Sequence, residues 1–343
     1  MSLPKTIRIS GIPNGHVQGI ATDRDRKYMY YSFTTCLIKT DMEGRLIGSV
    51  KGLAGHLGCI AYNYDDGRVY GSLEFKHDSI GAAILKRISA DGSVDVTDGF
   101  YAVAFDVDKI TRMDMDAEQD GIMTAVYLKE VFDDYSASEH RYGCSGIDGF
   151  TFAPLPGSKE EKKYLYVAYG IYTDLERKDN DHQVILRYDI SNWADYEAPL
   201  NQSNMHHRGP EKADSKYFVY TGNTHYGIQN LEYDPVTTCL FAAVYKGRKP
   251  QFPNYPMYII DLNKNSAVSA LAGLEEQGEI MQLADFGLLD EDSGIRGLNF
   301  PYGSTGMISL GDGSFYFSRD FKDDSGWGTE IGLYRFDGTN FIE

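Results

Sequence analysis

Cysteine is scarce: four thiols, Cys36, Cys59, Cys144 and Cys239, are scattered over 343 residues and form no Cys-x-x-Cys pair. That spacing excludes a disulfide scaffold and a short-spaced zinc or redox site, and it leaves single buried thiols. Long hydrophobic runs are missing too. Nothing approaches the roughly 20 apolar residues of a spanning helix, so no membrane partner is expected. Positive charge is in deficit, with 33 Lys and Arg against 50 Asp and Glu and a formal net charge of -17. Affinity for a nucleic-acid backbone is built from cations that neutralise phosphates, so no nucleic-acid partner is expected either. Residues 1–9 contain no apolar core followed by a small-residue cleavage site. With unpaired thiols, this points to a cytoplasmic protein unless a signal has been removed. His-Glu-x-x-His, Gly-x-Ser-x-Gly and the phosphate-binding Gly-x-x-x-x-Gly-Lys-Ser/Thr are all absent, which leaves the common zincin, nucleophile and nucleotide-loop chemistries unsupported.

What is present is a repeat. His16-Val17-Gln18-Gly19-Ile20-Ala21-Thr22-Asp23 recurs as His56-Leu57-Gly58-Cys59-Ile60-Ala61-Tyr62-Asn63 and as Gly227-Ile228-Gln229-Asn230-Leu231-Glu232-Tyr233-Asp234. Looser copies begin at Gly146 and Gly303. After each copy come a polar turn and further strand-like segments, such as Tyr28–Ser32 and Cys239–Tyr245. Short strands repeating at tens of residues mark a β-propeller, whose blades bury their faces only against their neighbours. The expected class is therefore all-β: a single propeller domain over 1–343, of five four-stranded blades at about 16–54, 55–145, 146–224, 225–302 and 303–343. Six blades is the alternative, because the acidic segment 111–142 reads either as an insertion or as a degenerate blade. The last unit runs out of chain before its fourth strand, while residues 5–10 alternate polar and apolar with no blade of their own. The N-terminal strand is thus expected to close the ring.

Loops expected on the channel-mouth side are long: 111–145, 170–183, 246–256, 287–302 and 320–329. Long loops cost closure entropy and are commonly functional, so the binding face is expected there. The inner strands open at this mouth, which gathers His16, Gln18, His56, Asp148, His225, Tyr226 and Gln229. Neutral imidazole ligates divalent metals, making His16, His56 and His225 candidate ligands and a divalent metal ion the candidate cofactor. The competing reading is a polar lining that hydrogen-bonds blade to blade. Asp148 and His56 are the candidate catalytic groups, and Glu74 could pair with Asp148 for acid/base work. Tyr226, Tyr245 and Tyr302 offer flat faces with hydroxyls for a sugar ring, and Gln18, Gln229, Arg296 and Arg319 supply polar or positive contacts.

The Gly-Ile-Ala-x-Asp and Tyr-x-Tyr-x-Ser pattern of residues 19–32 resembles the broad propeller group that includes NHL-repeat and gluconolactonase-like proteins. The resemblance covers most of the chain and implies the propeller fold. Gluconolactonase-like proteins hold a central cation mainly through acidic and amide side chains, where this chain offers histidines. Propeller polysaccharide lyases with several His and a Gln on a cation resemble His16, His56, His225 and Gln229 in residue type. The expected function is binding of a small polar or glycan ligand such as a carbohydrate or sugar acid, with hydrolytic or lyase processing. The alternative is a non-catalytic glycan- or protein-binding propeller.

Overall fold

Strand Cys239–Tyr245 contains the logic of the whole ring. Six of its seven residues are buried, and alternate side chains serve two different cores. Cys239, Phe241 and Ala243 pack with Met257, Phe315 and Phe317, whereas Leu240, Ala242 and Val244 pack with Tyr166, Ile185 and Tyr217. A strand buried on both faces reads as a near-continuous apolar run, and period-two alternation sends successive residues to opposite neighbours.

The computed structural model describes residues 3–13, 15–78, 81, 82, 86 and 97–343. It forms a five-bladed β-propeller. Blade one comprises Val17–Thr22, Tyr28–Phe33, Cys36–Asp41 and Leu46–Lys51. Blade two comprises His56–Tyr62, Val69–Phe75, Gly99–Phe105 and Met123–Tyr127. Blade three comprises Cys144–Ala153, Tyr164–Ile171, His182–Tyr188 and Ser215–Tyr220. Blade four holds His225–Asp234, Cys239–Tyr245 and Met257–Asp261. Blade five holds Met307–Ser309, Ser314–Asp323 and Gly326–Phe336, with Thr6–Ile12 outermost. Hydrophobic clusters fill every seam of the ring: one to two, two to three, three to four, four to five, and five back to one.

Closure follows the sequence expectation. Thr6–Ile12 pairs antiparallel with Gly326–Phe336, from Thr6 opposite Gly332 to Ile12 opposite Trp327. Ile7, Ile9 and Ile12 are buried in the seam with blade one. The two ends of the chain are thus joined in one sheet.

Several elements differ from expectation. Segment 111–142 supplies blade two's outer strand, Met123–Tyr127, which pairs along its whole length with Gly99–Phe105. The same segment lends Met115–Asp116 to the outer edge of blade one, in parallel, and ends in the α-helix Lys129–Ser136. The sequence of blade two reads as further strands at 68–73, 83–88 and 101–107, which would make the last of these the outer strand; Gly99–Phe105 instead pairs directly with Val69–Phe75 and is the third strand. Residues 83–88 fall largely outside the described residues. Blade four lacks a continuous fourth strand: single bridges to Leu283 and Leu298 occupy that position, and segment 277–280 instead pairs with blade three. Residues 320–329 form no long loop, because the second and third strands of blade five continue as a hairpin to Asp323 opposite Gly326. All four cysteines are free and buried. Among the described residues no helix is long and apolar enough to cross a membrane.

Candidate functional site

Each of the first four inner strands slips register soon after it opens. The slips fall between Val17 and Gly19, Leu57 and Ile60, Ile147 and Phe150, and Ile228 and Asn230. Such bulges leave a residue out of the ladder and re-aim its side chain, and they are common at the rims of closed sheets. The residues so released include Gln18, Asp148 and Gln229.

Asp148 and Gln229 meet directly, with Gln229 Nε2 donating to Asp148 Oδ2 at 3.1 Å and to the Tyr226 carbonyl at 2.9 Å. On the other side of Asp148 stands His56, whose Nδ1 lies 3.8 Å from Asp148 Oδ1 and 3.4 Å from Glu74 Oε1. These are ionic contacts and not aligned hydrogen bonds, since Nδ1 has no hydrogen-bond partner. Beneath them Lys76 Nζ sits 2.6 Å from Glu74 Oε1 and donates to the Ser145 carbonyl at 2.8 Å. The second Glu74 oxygen accepts the Ile147 N–H at 3.0 Å. Glu74 and Lys76 are almost fully enclosed, while His56 and Asp148 each keep 14% of their side-chain surface open. The inner pair is structural support; the outer pair is reachable.

Two glycines make room. A Cβ on Gly146, whose φ is +127°, would lie 2.0 Å from Glu74 Oε2. One on Gly58 would lie 2.4 Å from Ser72 Oγ and 2.9 Å from Asp148 Oδ1.

Electrostatics separate the two carboxyls. Burial and the neighbouring Glu74 charge push Asp148 up to about 7, against the pull of His56 and Lys76. Burial also works against Glu74, but Lys76 and His56 outweigh it and hold Glu74 below the usual carboxylate range. Lys76 is likewise opposed by burial yet raised by Glu74 and Asp78. For His56, burial is overcome by Glu74 and Asp148, which raise it. Asp148 is thereby brought into the range where both protonation states are populated near neutrality, beside a His56 imidazole whose charged form is favoured by its carboxylate neighbours.

The remaining sequence candidates are distributed around this cluster. The His16 ring packs on Trp327 at 5.7 Å and contacts Gln18 Nε2 at 3.2 Å. Gln18 also reaches Thr34 Oγ1, and its carbonyl accepts from Asn230. His225 bonds to Thr173 Oγ1 and packs on Tyr226. Tyr226 is held at φ +64°, an uncommon conformation for a tyrosine. Tyr245 stands opposite His225 in the ladder, and burial raises its hydroxyl to about 12. Arg319 is bound to Glu330 at 3.0 Å and covers the Tyr302 ring at 5.3 Å, and Arg296 lies 3.5 Å from Asp285. Among the described residues, neither arginine pairs with His56, Asp148, Glu74 or Lys76.

The expected metal set does not assemble. Among the described residues no group of three or more His, Cys, Asp or Glu is disposed to hold a metal ion. His225 Nδ1 is engaged by Thr173, and the positive charge beside Glu74 is Lys76 itself. Lys76 is absent from the sequence candidates because the apolar strand pattern of 68–73 ends before it, whereas the strand runs on to Phe75. The signal was the Ser72, Glu74, Lys76 alternation, which period two places on one face.

No family model matches the chain, and no curated protein matches it. The resemblance to NHL-repeat and gluconolactonase-like propellers therefore stays at the level of the blade repeat. Among solved structures, the chain is similar to the holo form of the pyranose dehydrogenase PQQ domain from Coprinopsis cinerea. The two share 11% identity over 92% of this chain and 81% of that one, with a TM-score of 0.39. The class of protein defined by fold and site is a five-bladed propeller with an ionisable cluster at one mouth of its channel.

Proposed function

We propose that the channel mouth binds a small polar ligand, a carbohydrate or sugar acid, and processes it by hydrolytic or lyase chemistry with Asp148 and His56 as the proton-transfer pair. The observation that carries this reading is the convergence of His56, Asp148 and Gln229 from the inner strands of three different blades, Asp148 and Gln229 on register slips and His56 just ahead of one, with His56 Nδ1 3.8 Å from Asp148. In a lyase step the Asp148 carboxylate takes the proton on the carbon next to the sugar-acid carboxylate. The C–O bond to the leaving group then breaks, and the His56 imidazolium gives its proton to the departing oxygen. In hydrolysis the base instead takes a proton from water as the water attacks. Tyr226 and Tyr245 supply flat faces with hydroxyls that suit a sugar ring.

The non-catalytic reading draws on a different fact: both Glu74 oxygens are already satisfied by Lys76 and Ile147. A network complete in itself also suits a lining that holds a glycan without reacting with it. The test is a panel of uronate oligosaccharides and neutral sugars, followed by calorimetry for binding and by ultraviolet absorbance and reducing-end assays for turnover. Turnover abolished in both His56→Gln and Asp148→Asn supports the enzyme. Binding without turnover moves the protein to the glycan-binding class, and no binding at all removes both readings.

A further inference from the structure

The inner strands leave the mouth cluster and end at the opposite end of the channel, four to six residues further on, or roughly 13–20 Å away at about 3.3 Å per residue. There all five blades line one cavity of about 270 Å³. Its walls include Thr22, Tyr62, Thr151, Tyr233 and Ser309, one from each inner strand. The volume lies near the lower limit of small-molecule sites, which run from roughly 300 Å³ upward.

The charge of this cavity is opposite to that of the protein. Arg24, Arg26 and Lys163 line it, in a chain whose net charge is -17. Among the described residues none of the three has an ion pair with a carboxylate. Arg24 donates to the Tyr64 carbonyl and Arg26 to the Leu310 carbonyl. Lys163 lies over the rings of Tyr64 and Tyr233 at 5.4 and 5.6 Å. The neighbouring acids are committed elsewhere: Asp23 accepts the backbone N–H groups of Lys27 and Tyr28, and Asp25 holds the Lys27 ammonium.

Glu232 is the single acidic residue among the described lining residues. Burial pushes it up to about 8, although the Ser309 N–H and Lys163 favour its charge. It therefore stays mostly protonated at pH 7 and does not cancel the three cations. Guanidinium groups with their carboxylate partners missing are the usual form of an anion receptor, because their fork matches carboxylate and phosphate oxygens.

We propose that this end of the channel binds a small organic anion, whose carboxylate or phosphate is taken by Arg24, Arg26 and Lys163. The site is separate from the His56 and Asp148 mouth and does not depend on what that mouth does.

The experiment uses the full chain at low ionic strength, with inorganic phosphate and malonate as probes, neither of them a sugar, and malonamide as the neutral control. Binding is read by calorimetry and by chemical-shift changes in isotope-labelled protein. Saturable binding of either anion, at least tenfold weaker in Arg24→Gln/Lys163→Gln and retained in His56→Gln, supports the proposal. The tighter of the two anions identifies the headgroup. A lack of saturable binding for both probes overturns it, as does unchanged affinity in the double variant or loss in His56→Gln. Thermal unfolding verifies that the double variant is folded. If it is not, Lys163→Gln alone is measured across a salt series, where an unchanged affinity overturns the proposal.

Discussion

His56 Nδ1 and the Asp148 carboxylate stand 3.8 Å apart across the seam between blades two and three. The two residues are far apart in sequence, and both are brought there by bulged inner strands. Each raises the other's tendency to carry charge, within an enclosure that opposes charge on both.

That coupling predicts a pH dependence. Asp148 is raised from 3.8 to about 7, so between those values the folded protein holds a proton that the unfolded chain releases. Stability from this group is full below about 4 and falls as pH rises towards 7, by at most about 4 kcal/mol. His56, also raised, loses its contribution in the same direction as pH passes through its folded pKa. In Asp148→Asn the fall in stability should flatten, as measured by urea midpoints from pH 4 to 8. The His56 pKa, followed by NMR, should drop, because the Asp148 charge is one of the interactions that raise it. An unchanged His56 titration would remove the coupling.

Glu74→Gln should destabilise the fold by about 3 kcal/mol, because it leaves the enclosed Lys76 ammonium with only the more distant Asp78 carboxylate at 3.8 Å. Replacing both, as Glu74→Leu/Lys76→Met, should recover most of that loss. Chemical denaturation of the three proteins checks it, and a double variant no better than the single one would contradict the account.

Gly146→Ala should cost several times more than an alanine at an open glycine such as Gly121. The new Cβ at Gly146 meets Glu74 Oε2 at 2.0 Å with φ at +127°, whereas at Gly121, whose φ is also positive at +61°, nothing lies within 4 Å. Loss of roughly 3–4 kcal/mol at 146 against about 1 at 121 is expected, the backbone strain being common to both and the displaced carboxylate peculiar to 146. Thermal melts distinguish the two.

Deleting residues 1–12 should open the ring. The lost strand removes Ile7, Ile9 and Ile12 from the seam between blades five and one and exposes the edge of Gly326–Phe336. Single Ile7→Ala or Ile9→Ala changes should cost about 2–4 kcal/mol each. Hydrogen exchange in the truncated protein should rise first at 326–336; exchange unchanged there would mean that closure does not depend on this strand.

The architecture was legible because propeller strands are buried on both faces. The sequence therefore repeats its openings, such as Gly19-Ile20-Ala21 and Gly227-Ile228-Gln229, and the incomplete last unit demanded an outer strand from Lys5–Ser10. Blade two was harder to read. Its outer strand Met123–Tyr127 follows a long acidic stretch and has no opening signal of its own, since an outer strand needs only an edge to pair with. The mouth residues were found by position, as His56, Asp148 and Gln229 all lie early in their repeats.

The chain by itself determined the inner and second strands of the blades, their order around the ring and the closing N-terminal strand, because period two and turn chemistry are local properties. Only the tertiary structure decided the partnerships. It coupled His56 to Asp148 over Lys76 and Glu74, and it held Arg319 on Glu330 and Tyr302. It also gathered Arg24, Arg26 and Lys163 at the far end of the channel. Those contacts depend on the register slips and on how five blades close around one axis, and neither is encoded in any single stretch of residues.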